Sequence, residues 1–124
     1  MAAWTSEELK KIGAADVLAI ASLRRDGTFR KPVTIWVVRH GDDLYVRSAY
    51  GPGSAWFRGT QERREGRILA GGVDKDVRFA AAGGAVNDAI DAAYRAKYHS
   101  YPAAYVDHVV SAEARATTIK LVPS

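Results

Sequence analysis

The chain has 124 residues, 48% hydrophobic and 26% charged, which is the balance of one ordinary globular domain. It contains no cysteine, which excludes disulfides, thiolate nucleophiles, cysteine zinc sites and iron–sulfur clusters. Lys and Arg total 18 against 14 Asp and Glu, and the resulting charge of +4 is scattered rather than in a run, which suits a small anionic ligand better than nucleic acid.

No apolar run approaches the about 20 residues of a membrane span. The start lacks the basic-then-apolar pattern of a secretory signal, so a cytoplasmic location is expected. In chain order, Thr5 and Glu8 form a capping box for a first helix, Trp4 and Leu9 flank it as a hydrophobic staple, and Gly13 is expected to stop it. Asp16–Leu23 reads as a strand, followed by an Asp26-Gly27 hairpin turn. Phe29–Arg39 reads as one long β-branched strand whose Pro32 puts its start at an edge or bulge. Leu44–Ser48 alternates, with Leu44, Val46 and Ser48 on one face and Tyr45 and Arg47 on the other. Ser54 stands as the N-cap of a helix to Arg64. Strands are expected at 66–72 and 76–81 around a turn at Asp74-Lys75. Ala85–His99 reads as the longest helix, with Asp91 and Arg95 at ion-pair spacing. Tyr101–Glu113 reads as irregular or weakly helical, and Ala116–Val122 as a closing strand with Thr117, Ile119 and Leu121 on one face. Consecutive hairpins with helices inserted late exclude a doubly wound parallel sheet. The expectation is a mainly β (α+β) single domain over 1–124: a six-stranded antiparallel barrel with peripheral helices, closed so that no long edge is exposed.

The residues richest in chemistry lie between Arg30 and Arg58. Arg47 and Ser48 end a strand and run into the loop Gly51-Pro52-Gly53, which opens a helix at Ser54. A helix N-terminus, hydroxyls and arginines can hold phosphate; a serine-capped glycine loop with solvated arginines is the plainer alternative. Trp36 is flanked by aliphatics and reads as core or interface, and Trp56-Phe57 as packing. Tyr94, Tyr98, Tyr101 and Tyr105 either dock the long helix on the barrel or turn one or two hydroxyls into a ligand pocket. His40, His99 and His108 have no metal-ligand spacing and read as surface residues, so no metal is expected. There is no Gly-x-Ser-x-Gly elbow and no Gly-x-Gly-x-x-Gly fingerprint.

The motifs Trp4-Thr5-Ser6, Gly13–Asp16, Ile35-Trp36-Val37-Val38, Asp43–Ser48, Ala55–Arg58, Ala93–Tyr98 and Ala116-Thr117-Thr118 resemble those of an uncharacterised family of small bacterial proteins, over nearly the whole chain. More distantly, 26–79 resembles the flavin-binding split β-barrel superfamily, which includes pyridoxamine-phosphate oxidases and deazaflavin-dependent reductases. That resemblance implies an FMN- or deazaflavin-binding oxidoreductase acting as a homodimer on an unknown small molecule. It places Arg30, Lys31, Val33 and Thr34 against the flavin, Arg47, Ser48, Ser54 and Arg58 near phosphate, and Trp56 in the phosphate-binding helix. Trp36, Tyr94 and Tyr98 would line the substrate side. The basic residue that follows the loop serine in the superfamily is Ala55 here. The alternative is a non-redox ligand-binding or interaction module on the same barrel. Neither reading requires nucleic acid or a membrane.

Overall fold

A computed structural model describes residues 3–124. The first helix, α1 (Ser6–Ala14), begins as the sequence predicts: the Thr5 hydroxyl accepts from the Glu8 amide and the Glu8 carboxylate accepts from the Thr5 amide. Gly13 does not stop it; the helix runs to Ala14 and ends where Ala15 turns extended. Trp4, Leu9 and Ile12 enter the core, and the Trp4 indole donates to the Leu121 carbonyl at 2.9 Å.

Seven antiparallel strands follow: β1 (Leu18–Ser22), β2 (Val33–Ile35), β3 (Val38–His40), β4 (Asp43–Val46), β5 (Glu65–Ala70), β6 (Val73–Ala81) and β7 (Ile119–Pro123). They form one sheet in the order β2-β1-β5-β6-β7-β4-β3. The two edges, β2 and β3, are successive in the chain and separated only by Trp36 and Val37. The chain itself therefore bridges the edges, and the sheet curls around its core as a split barrel.

The seventh strand arises because the predicted strand Phe29–Arg39 is broken. Its cause lies 60 residues away: the Tyr98 hydroxyl accepts from the Val37 amide at 3.2 Å, and the Lys97 ammonium donates to the Val37 carbonyl at 2.6 Å. Both backbone groups of Val37 are thus satisfied outside the sheet. The Trp36 ring lies flat on Tyr98, with centroids 3.9 Å apart and planes 3° from parallel.

The turn between β5 and β6 is Gly71-Gly72, not Asp74-Lys75. Both glycines have positive φ, 55° and 83°, as a tight hairpin turn requires. A Cβ on Gly66 would stand 2.4 Å from the Ala21 carbonyl and 2.7 Å from Phe79, so β1 and β5 meet there only because glycine has no side chain.

The barrel core contains Leu18, Ile20, Leu44, Val46, Ile68, Phe79, Ile119 and Leu121, all nearly fully buried. The two faces of β4 divide as the sequence predicts, and both are buried: Leu44 and Val46 point into the barrel and Tyr45 points into a second cluster. That cluster, with Val38, Ile90, Tyr94 and Tyr98, packs α3 (Asn87–Lys97) and α4 (Ala103–Val109) against β3 and β4. The predicted helix 85–99 is thus a 3-10 turn at Gly84–Val86 followed by α3. The segment expected to be irregular or weakly helical holds two short helices, α4 and α5 (Ala112–Arg115). Among the described residues, no helix is long and apolar enough to cross a membrane.

Candidate functional site

The helix α2 (Ala55–Arg63) opens beneath β2, as the glycine loop and Ser54 predict. Ser54 has the extended backbone of an N-cap, but its side chain does not cap. Its hydroxyl pairs instead with that of Ser48, 2.8 Å away. The first-turn amides of α2 are therefore left without a side-chain acceptor and carry the positive end of the helix.

Two cavities flank this helix start. The larger, about 470 Å³, lies between β2 with Trp36, the loop after β4 with Ala49 and Tyr50, the start of α2, and α4. Its walls are aromatic: Trp36, Tyr50, Trp56, Tyr101, Tyr105 and His108. The smaller, about 250 Å³, is lined by Ser22, Arg24, Arg30, Lys31, Ala55 and Thr60. Val33 and Trp56 line both. The two adjoin at these shared residues, and the first is lined mainly by aromatic side chains while the second carries the basic ones. Among the described residues, no carboxylate lines either half. The Glu62 carboxylate stands outside the lining and pairs with Arg30 and with Arg25.

Most of the predicted site residues converge here. Val33, Thr34, Ser54, Trp56 and Trp36 line the aromatic half, and Arg30 and Lys31 line the basic half. Arg58 is exposed and lines neither half, because it points away from the groove on α2. Ser48 is buried; its hydroxyl holds Ser54, and its amide donates to Thr117.

Arg47 reaches the cavity wall, but its charge is taken up within the protein. Its side chain is fully buried. Its guanidinium donates to the Asp91 carboxylate at 2.5 Å, the Thr118 hydroxyl, the Val109 carbonyl, and both the carbonyl and side-chain oxygen of Asn87. A guanidinium has five N–H donors, so none is free for a phosphate. Asp91 is shared with Arg115, which also pairs with Asp88. The predicted Asp91–Arg95 pair does not form, because Asp91 faces Arg47 across the helix–sheet interface.

Tyr94 and Tyr98 are fully buried behind Trp36 and line neither cavity. The Tyr98 hydroxyl bonds Val37 and donates to the Asp16 carbonyl at 2.7 Å. The Tyr94 hydroxyl is buried without a partner, and the Arg47 guanidinium lies 5.7 Å from its ring centre. Burial pushes both phenols well above their ordinary range. Burial also pulls Lys97 down to about 8, against the opposing charge of Asp16.

Sequence reading did not select Tyr50 or His108 as site residues, and it favoured a docking role for Tyr101 and Tyr105. A signal was present for two of them: Tyr105 and His108, three residues apart, fall on one face of α4, while Tyr101 precedes the helix. Among the described residues, no cluster of three or more His, Asp or Glu could hold a metal.

The architecture is similar to that of two solved structures. One is a pyridoxamine 5'-phosphate oxidase-like protein from Listeria innocua, with a TM-score of 0.64 and 13% identity over 95% of this chain and 91% of that one. The other is an F420 reductase, with a TM-score of 0.53 and 14% identity over 93% and 91% of the two chains. At these identities the likeness is one of fold: an antiparallel split-barrel sheet with peripheral helices. No curated protein sequence matches it. Residues 8–121 match the profile of DUF2255, described as an uncharacterised protein conserved in bacteria, and the chain belongs to that family.

Proposed function

We propose that the protein is an oxidoreductase that binds a flavin-type cofactor, FMN or a deazaflavin coenzyme, in the two-part groove. One observation carries this reading: an aromatic cavity of about 470 Å³ meets a basic one across an uncapped helix start. That volume is within the range of small-molecule sites. A planar ring with a phosphorylated side chain fits the division of the groove. Trp36, Trp56 and the exposed edge of β2 at Val33 and Thr34 would hold the ring. Lys31, Arg30 and the first-turn amides of α2 would hold the phosphate. Of the basic residues that line the smaller cavity, Arg30 pairs with Glu62, and Arg24 donates to Thr28 and to the Phe29 carbonyl; Lys31 has neither kind of contact and offers its charge to a ligand. The cofactor supplies hydride chemistry when bound, and the chain supplies orientation, electrostatics and exclusion of water. We further propose that the working unit is a homodimer, because Phe29, Val33, Tyr50 and Tyr105 expose apolar surface around the groove.

The test is an equilibrium titration with FMN and with the deazaflavin coenzyme. Micromolar or tighter binding of one is expected, weakened about tenfold by Lys31→Glu, with light scattering reporting a dimer. A non-redox carrier on the same barrel is favoured by the engagement of all five Arg47 donors, which removes one expected phosphate contact. That second reading requires failure of both cofactors and capture of a different planar ligand, seen by native mass spectrometry.

A further inference from the structure

We propose that His108 is the proton-holding group of the aromatic cavity, protonating a ligand atom that acquires negative charge there. This rests on the cofactor reading above. The cavity lining offers few alternatives: Arg47 has no donor left, no carboxylate is present, and a phenol is by its chemistry a much weaker acid than an imidazolium. Imidazole alone among the lining side chains ordinarily changes charge between pH 5 and 8.

The structure fixes the backbone that carries this ring. His108 lies in the last turn of α4, where the helix end favours a cation. Its ring meets that of Tyr50 at 5.4 Å between centroids, across the mouth of the cavity. Its backbone carbonyl accepts from the Ser111 hydroxyl at 2.7 Å. The next residue, Val109, is tied to the barrel through Arg47 at 3.1 Å. The charged and titratable groups that share its cavity are Arg47 from the end of β4, Tyr50 from the following loop, Tyr101 before α4 and Tyr105 on α4; Asp107 is its neighbour in sequence on α4, and Glu113 of α5 stands against Gly51, next to Tyr50. His108 is also exposed, so solvent can restore its proton.

The balance is simple. Were a bound, reduced cofactor to supply a hydride to a carbonyl- or imine-type acceptor in the cavity, the electron pair of the acceptor's π bond would move to its oxygen or nitrogen. The His108 imidazolium would give that atom its proton and become neutral imidazole, and solvent would reprotonate it.

The test needs no substrate. The probes are FMN and the deazaflavin coenzyme, each oxidised and anaerobically reduced. The readouts are the NMR titration of the His108 ring, assigned with His108→Gln, and affinity against pH. Reduced probe is expected to raise the His108 midpoint by about one pH unit, which corresponds to about a tenfold change in affinity. Wild type should lose about tenfold more affinity than His108→Gln between pH 5.5 and 8.5. Binding with an unmoved His108 midpoint, and matching pH profiles in both proteins, would overturn the inference and leave the cofactor reading standing. Binding of neither probe would overturn both.

Discussion

Replacing Arg47 with methionine separates a structural brace from a ligand contact. The guanidinium joins β4 to α3 through Asp91 and Asn87, to α4 through the Val109 carbonyl, and to the approach of β7 through Thr118. Removing one partner of a buried ion pair costs about 3–5 kcal/mol. Asp91 keeps Arg115, so the lower end applies, about 3 kcal/mol. Domains of this kind are stable by about 5–15 kcal/mol in total. At the entropy of unfolding of a chain this long, each 1 kcal/mol moves Tm by about 4 °C. Arg47→Met should therefore melt about 12 °C below wild type in a thermal scan followed by circular dichroism. The double variant Arg47→Met/Asp91→Leu should lose at least about 1 kcal/mol less than the sum of the two single variants, because the groups act as a unit. A melting point within about 4 °C of wild type would refute the reasoning. If such a variant also lost cofactor binding, Arg47 would be a ligand contact.

Three further outcomes follow from individual contacts. Tyr94→Phe removes a buried hydroxyl that has no partner and should be neutral to within about 0.5 kcal/mol, or slightly stabilising, in urea denaturation, whereas Tyr98→Phe should cost about 1–3 kcal/mol. Gly66→Ala drives a Cβ into the Ala21 carbonyl and Phe79 and should cost about 3 kcal/mol by the same measurement. Lys97 is pulled down to about 8 from its ordinary 10.5, so between pH 8 and 10 the folded chain has released a proton that the unfolded chain still holds. Stability should therefore rise with pH across that window in wild type relative to Lys97→Met, by about 1 kcal/mol at most given the partial exposure of the ammonium; a falling difference would contradict it.

Local chemistry was readable where its partners lie close in sequence. The Thr5–Glu8 box, the two-faced alternation of β4 and the helix start at Ser54 all depend on neighbours within a few residues. The larger departures trace to distant partners. The run Phe29–Arg39 has β-branched character throughout, and its break at Trp36-Val37 is imposed by Lys97 and Tyr98. Asp91 sits at ion-pair spacing from Arg95, yet Arg47, 44 residues away, takes its carboxylate. In the β5–β6 hairpin two turn signals competed, and the positive φ open to Gly71-Gly72 won. The groove follows the same division. Its floor of Val33, Thr34, Trp36, Ser54 and Trp56 comes from adjacent strand and helix starts. Its far wall of Tyr105 and His108 comes from a short helix whose placement depends on Arg47 and the second core cluster.

The central claim is that a flavin-type cofactor occupies the groove between β2 and α2. The most direct measurement is an amide NMR map of the purified chain, titrated with FMN and with the deazaflavin coenzyme. Saturable shifts should concentrate at residues 31–36, 54–57 and 105–109, with the amides of 55–57 moving most as they meet phosphate. Shifts confined to another surface, or none up to a large excess of either cofactor, would contradict the account.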